Sequence, residues 1–141
     1  MEQKKTRVLF VCFGNACRSP MAEAIAKTDA ADVIDPASAG LYPLGEIPLH
    51  TQAALQRNGY SAEGLASKPI AAEAWRRADL VINLSGRSRH LEFEDHEKVE
   101  DWEVRDPYGE DAAVYQRILE EIRARVKSLA QRLREQQRAE V

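Results

Sequence analysis

"VLFVCFGNACRSPMAE", residues 8–23, joins an apolar run to a stretch of small, polar and charged residues. The run RVLFVC (7–12) shows no polar alternation, which is the pattern of a strand buried on both faces. SPMAEAIAK (19–27) opens with Ser and Pro and continues in helix-forming residues, with Pro placed where a helix needs no backbone donor. Between them lie Cys12, Gly14, Asn15, a second cysteine and Arg18. An ordinary strand-to-helix connection requires none of these.

The same alternation continues along the chain. DVIDPASAG (32–40) reads as a second strand ending in small residues, and LYPLGEIP (41–48), with two prolines and a glycine, as a loop. LHTQAALQRNGY (49–60) has helical spacing and closes on Asn58-Gly59. AAEAWRRADLVINLSG (71–86) predicts a short helix, a third strand over 79–84 and a turn. RSRHLEFEDHEKVEDWEV (87–104) is polar, with a fourth strand expected within KVEDWEV. In the last segment Tyr115, Ile118, Leu119, Ile122, Val126, Leu129 and Leu133 form one helical stripe. Its other face mixes Arg, Lys and Glu, the composition of a solvated surface. Strands alternating with helices predict an α/β fold, a parallel sheet with helices on both faces and right-handed crossovers. No repeat or linker interrupts it, so a single domain over 1–141 is expected. Ligands bind such sheets beyond the carboxyl ends of the strands, where Cys12 would lie.

Composition narrows the partners. At 141 residues, 44% hydrophobic and 30% charged, with a formal net charge of −3, the chain has no general attraction for nucleic acid or an anionic membrane. No apolar run reaches membrane-spanning length, and MEQKKTR does not begin a secretory leader, so a cytoplasmic location is expected. A monomer is expected too, since no exposed apolar stripe is evident. Two cysteines are too few for a disulfide scaffold. His50, His90 and His96 show no ligand spacing with either cysteine, so neither metal nor cofactor is expected.

Residues 12–19 carry the chemistry. The first turn of a helix has backbone N–H groups without partners, and the macrodipole adds positive potential. A loop curled above it, with Gly14 permitting an unusual backbone angle and Asn15 tolerating the left-handed region, can turn the N–H groups of Phe13, Gly14, Asn15, Ala16, Cys17, Arg18 and Ser19 inward as an anion cradle. Arg18 adds a planar fork for a tetrahedral oxyanion. The same field favours the thiolate of Cys12, which suits in-line attack on the central atom of a bound oxyanion. A bare C-x5-R match is weak. Gly14 and Asn15 inside it, Ser19 after it, a strand before and a helix behind make it specific. Such a reaction also needs an acid for the leaving oxygen. Asp106 in VRDPYG (104–109) follows the expected fourth strand, hence lies at the same end of the sheet, on a loop that Pro107 stiffens.

Together these residues resemble the low-molecular-weight protein tyrosine phosphatase superfamily, which also contains thioredoxin-coupled arsenate reductases. VLFVCFGNACRSPMAE resembles its phosphate loop and first helix, SAG (38–40) its second strand end and DPYG its acid loop. The resemblance implies a flavodoxin-like three-layer sandwich with a four-stranded parallel sheet. It implies Cys12 as nucleophile, Arg18 as oxyanion clamp and Asp106 as general acid. Ser19 would hydrogen-bond the Cys12 sulfur, and Asn15 and Ser38 would hold the loop in shape. Tyr108 matches an aromatic position flanking the phosphotyrosine ring, and Tyr42 is a further candidate wall. Phe13 departs from the aliphatic or polar residue usual after the nucleophile. Cys17 has two readings, a filler behind the loop or a reversible disulfide partner of Cys12.

The branches differ in their cysteines. RSPMAE and DPYG take the phosphatase form, whereas the short SAGLYPLGEIP and ADLVINLSG resemble the reductase branch. Where the latter places its second redox cysteine stands Ser85, and no cysteine follows Cys17. An internal three-cysteine cascade is excluded. The expected function is phosphomonoester hydrolysis, of phosphotyrosyl protein above all, through a cysteinyl-phosphate. The alternative is arsenate reduction with an external thiol or protein reductant. A third reading is an oxyanion-binding module without turnover.

Overall fold

The computed structural model describes residues 4–140, so the outermost positions of the expected domain, including the first three residues of MEQKKTR, lie outside it. Strand β1 (Thr6–Cys12) follows the apolar run, and its alternate residues enter two separate cores. Val8, Phe10 and Cys12 face one layer, Leu9 and Val11 the other, which is why the run shows no polar alternation. The chain continues through α1 (Arg18–Asp29), β2 (Ile34–Gly40), α2 (Leu49–Arg57), α3 (Ala72–Arg77), β3 (Leu80–Asn83), α4 (Arg89–Glu92), β4 (Val99–Asp101) and α5 (Ala112–Ala139). All strand pairs are parallel, in the order β2-β1-β3-β4. The expected flavodoxin-like α/β sandwich is therefore the observed one.

The two faces are unequally covered. Ala54 and Leu55 of α2, the buried side of α1 and the stripe of α5 fill the larger core against Phe10 and Ile82. Every residue of the stripe expected on α5 is buried, and Asp111 caps that helix by accepting from the Val114 N–H at 3.1 Å. On the opposite face only short α3 and α4 cover the sheet, and neither contributes a fully buried residue. A Trp75–Phe93 stack, ring centroids 5.4 Å apart, closes that side.

Several boundaries differ from expectation. Helix α1 begins at Arg18, one residue before the expected Ser19. The polar stretch 87–98 contains α4 and a 3₁₀ turn (His96–Lys98) that its composition did not signal. β4 holds three residues; the Trp102 N–H still donates to Asn83 O at 3.0 Å, and the chain then turns as Trp102 and Val104 pack into the larger core. That turn carries the chain toward Asp106 at the carboxyl ends of the strands. Register puts Cys12 beside Gly40 and Val11 beside Asn83 at those same ends.

Leu119→Ala, at a side chain with no exposure, is expected to cost about 2–5 kcal/mol of stability, read as a lower urea midpoint at unchanged slope. Leu91→Ala, at an 86% exposed position, should move the midpoint by less than about 0.5 kcal/mol.

Candidate functional site

The loop leaving β1 is shaped by one left-handed residue and one close backbone contact. Asn15 takes φ +46°, the sole positive φ outside glycine among the described residues. Gly14, expected to supply the unusual angle, does not: its φ is not in the left-handed region, and an added Cβ would meet only ordinary contacts at 3.9 Å. Glycine is instead required at Gly40. A Cβ there would fall 2.8 Å from both the Asn15 backbone N and its Cβ. The small end of β2 is thus what lets the loop lie against the sheet.

The loop's carbonyls are tied outward to the scaffold. Cys12 O accepts from the Leu41 N–H at 3.2 Å, Phe13 O from Tyr42 N–H at 2.8 Å and Gly14 O from Leu44 N–H at 2.9 Å. Ser67 Oγ also donates to Gly14 O at 3.0 Å, and Thr51 Oγ1 to Ala16 O at 2.9 Å. In a trans peptide the N–H of the next residue points opposite to the carbonyl. Outward carbonyls therefore turn the following N–H groups toward the concave side. Among the described residues, none of the backbone N–H groups from Phe13 to Cys17 donates to a protein group. An anion supplies the partners they lack.

A directed hydrogen-bond chain supports Cys12 from behind. The Lys68 N–H donates to Asn15 Oδ1 at 2.9 Å, which fixes the amide with its nitrogen toward the two serines. Asn15 Nδ2 donates to Ser19 Oγ at 2.8 Å and to Ser38 Oγ at 3.1 Å, and Ser38 donates to Glu23 Oε1 at 2.5 Å. Ser19 accepts from Asn15, and its own hydrogen has two acceptors in reach, the Cys12 sulfur at 3.0 Å and the Ala39 carbonyl at 3.4 Å, of which the sulfur is the nearer. Asn15, Ser19 and Ser38 are all buried. Glu23 was not foreseen as part of this chain. Its one signal is helical spacing, since residues four apart on α1 share a face with Ser19.

Arg18, 6% exposed, is held by two carbonyls at strand ends. Its Nη1 donates to Leu84 O at 2.5 Å and to Val104 O at 3.2 Å. Nη2 lies 3.6 Å from Asp106 Oδ2. Nε is buried without any partner, a donor that a bound oxyanion would satisfy. Asp106 is half exposed, and its Oδ1 accepts from the Tyr108 N–H at 3.0 Å, so the loop holds its own carboxylate in place.

Cys12, Gly14, Ala16, Cys17, Arg18, Asp106 and the exposed side chains of Phe13, Tyr42, Leu44 and Tyr108 line one cavity of about 210 Å³. Phe13 and Tyr42 pack with centroids 5.1 Å apart, forming one wall. Both cysteines carry free thiols. Cys17 Sγ lies 3.4 Å from the Tyr115 hydroxyl, and burial pushes its thiol above the ordinary cysteine range. Ser85, expected from the resemblance to stand in place of a relay cysteine, donates to Asn83 Oδ1 at 2.6 Å and accepts from the Arg87 N–H at 3.0 Å. Among the described residues no cluster of three metal-ligating side chains occurs, and no helix is long and apolar enough to cross a membrane.

Residues 7–139 match the family profile of low molecular weight phosphotyrosine protein phosphatases. Arsenate reductase 1 of Bacillus cereus is 35% identical over 133 residues, 93% of this chain and 98% of that protein. The YwlE arginine phosphatase from Geobacillus stearothermophilus superposes with a TM-score of 0.83 at 26% identity, over 94% of this chain and 95% of its own. The low molecular weight protein tyrosine phosphatase from T. tengcongensis does so at 0.81 and 31% identity, over 92% and 100%.

Gly40→Ala is expected to displace Asn15, cost about 1–3 kcal/mol of stability and weaken inorganic phosphate binding about tenfold by calorimetry. One equivalent of iodoacetamide near pH 7 should label Cys12 and leave Cys17 unmodified, read by peptide mass spectrometry.

Proposed function

This chain belongs to the low molecular weight phosphotyrosine protein phosphatase family, and we propose that within it the chain is a cysteine-dependent phosphomonoester hydrolase acting on aryl phosphates, phosphotyrosyl proteins above all. The observation that carries the reading is the pairing of an oxyanion cradle under Cys12 with a cysteine inventory that cannot run an internal redox relay. The chain has two cysteines, and Cys17 is turned to Tyr115 rather than to a second redox partner.

In this mechanism the phosphoryl group rests on the loop N–H groups and on Arg18 Nε. Cys12 Sγ attacks phosphorus in line, the S–P bond forms and the bond to the leaving oxygen breaks. Protonated Asp106 gives that oxygen its proton. The resulting Asp106 carboxylate then takes a proton from water, whose oxygen attacks phosphorus and breaks the S–P bond. Inorganic phosphate leaves, and Asp106 is again protonated. The Ser19 hydroxyl, 3.0 Å from the sulfur, stabilises the thiolate both before attack and as it departs. Phe13, Tyr42 and Tyr108 offer ring faces to an aromatic leaving group.

A second reading is favoured by the curated relatives, since arsenate reductase 1 of Bacillus cereus is 35% identical over nearly its whole length. Here Cys12 would attack arsenic and release water. Two equivalents of an external low-molecular-weight thiol would then supply two electrons, giving arsenite and their disulfide.

Purified protein is expected to hydrolyse p-nitrophenyl phosphate between about pH 5 and 8. Cys12→Ser should abolish turnover, and Asp106→Asn should lower kcat about a hundredfold with little change in KM. Parallel incubation with arsenate and a thiol donor tests the second reading. Thiol oxidation dependent on arsenate, without phosphate release, would replace the hydrolase, and oxyanion binding with neither activity would leave a binding module.

A further inference from the structure

The Arg87 side chain takes no part in the reaction above, and the backbone that carries it is fixed on both sides. Its N–H donates to Ser85 Oγ at 3.0 Å and its carbonyl accepts from Asn83 Nδ2 at 2.8 Å. Gly86, between Ser85 and Arg87, takes φ +79°, which completes a tight turn. Leu84, at the start of the same turn, supplies the carbonyl that holds Arg18. The segment that orients the oxyanion clamp therefore also carries Arg87 to the rim of the cavity. There its guanidinium lies 5.3 Å from the centroid of Phe13, a residue of the cavity wall. The ring attracts the charge but satisfies none of the five N–H donors. Among the described residues no carboxylate lies within ion-pair distance of Arg87.

We propose that Arg87 is a specificity-determining residue, whose guanidinium binds a carboxylate beside the phosphorylated ring, so that the preferred substrate is a phosphotyrosyl peptide with an acidic neighbour. This rests on the hydrolase reading. Arg18 and the loop N–H groups are committed to the phosphoryl oxygens, and an aromatic ring lying along Phe13 brings its flanking residues past Arg87. A guanidinium matches a carboxylate in bidentate geometry. One free cation at a mouth that also holds Asp106 suits a single extra negative charge better than a second dianionic phosphate.

The test compares p-nitrophenyl phosphate with two phosphotyrosyl peptides that differ only in Glu or Ala flanking the phosphotyrosine. Wild type should favour the acidic peptide about fivefold in kcat/KM, the scale of a partly exposed ion pair. Arg87→Ala should erase that preference, leaving the neutral peptide and p-nitrophenyl phosphate within about twofold of wild type. Arg87→Lys keeps the charge without the fork and should recover less than half of the preference. An equal loss on all three substrates would mean general electrostatic steering and overturn the proposal, as would an acidic preference that survives Arg87→Ala or is absent from wild type. If wild type hydrolyses none of the three, the hydrolase reading fails on its own. Fluorescence anisotropy with the same peptides then decides Arg87: tighter acidic binding lost in Arg87→Ala supports the assignment, and equal binding removes it.

Discussion

A run of backbone amides left without protein partners sets the terms for everything around it. The loop after Cys12 holds several N–H groups with no protein acceptor, all of them strong donors. Such a loop keeps its shape because its carbonyls are bound on the other side. The anchors come from the 41–44 segment, Ser67 and Thr51, each in a different part of the chain. The sheet and its helices thus act as a frame that keeps one peptide segment from satisfying itself. An oxyanion entering the cavity recovers that deficit, and Arg18 Nε, buried and unpartnered, adds one more donor in the same state.

Behind the loop, hydrogen-bond direction matters as much as distance. The Lys68 amide can only donate, so it determines which way Asn15 faces, and Asn15 then donates to Ser19, whose hydroxyl lies 3.0 Å from the sulfur. Glu23 Oε1 accepts the Ser38 proton, which leaves the Ser38 oxygen for Asn15. The two cysteines, five positions apart, meet opposite surroundings. Cys12 has a hydroxyl aimed at it above a set of free amides, whereas Cys17 is buried against Tyr115, and desolvation favours its thiol.

Ser85 shows how closely the two chemistries of this family stand. Its hydroxyl completes a turn with Asn83 and Arg87, beside the carbonyl that fixes the clamp. A cysteine there would place a second sulfur near the nucleophile's end of the sheet. The serine keeps the turn, and with two cysteines in the chain a reductive cycle would need thiols from outside it.

Much of this was legible along the chain. The apolar run into Cys12, the Ser-Pro helix start and the stripe from Tyr115 to Leu133 are patterns among neighbours, and local backbone geometry converts them directly into β1, α1 and α5. The cradle, Cys12, Arg18 and Asp106 follow from a strand end, a helix start and parallel topology. Gly14 misled because a glycine in a loop suggests a left-handed turn, while the turn fell to Asn15, which can adopt it at modest cost. Polar residues 87–98 concealed short helices because elements of three or four residues have no room for a periodic signal.

The sequence by itself determined the fold class, the position of Cys12 and Arg18 between a strand end and a helix start, and a count of two cysteines, since these depend on residue type and on spacing within single elements. Only the tertiary structure decided that Gly40 must be glycine, that the Lys68 N–H and Glu23 join the hydrogen-bond chain behind Cys12, and that Arg87 stands at the rim. It also chose the carbonyls that hold Arg18, which belong to residues 66 and 86 positions away. Contacts across such separations leave no local pattern, because they arise from where strand ends meet in space.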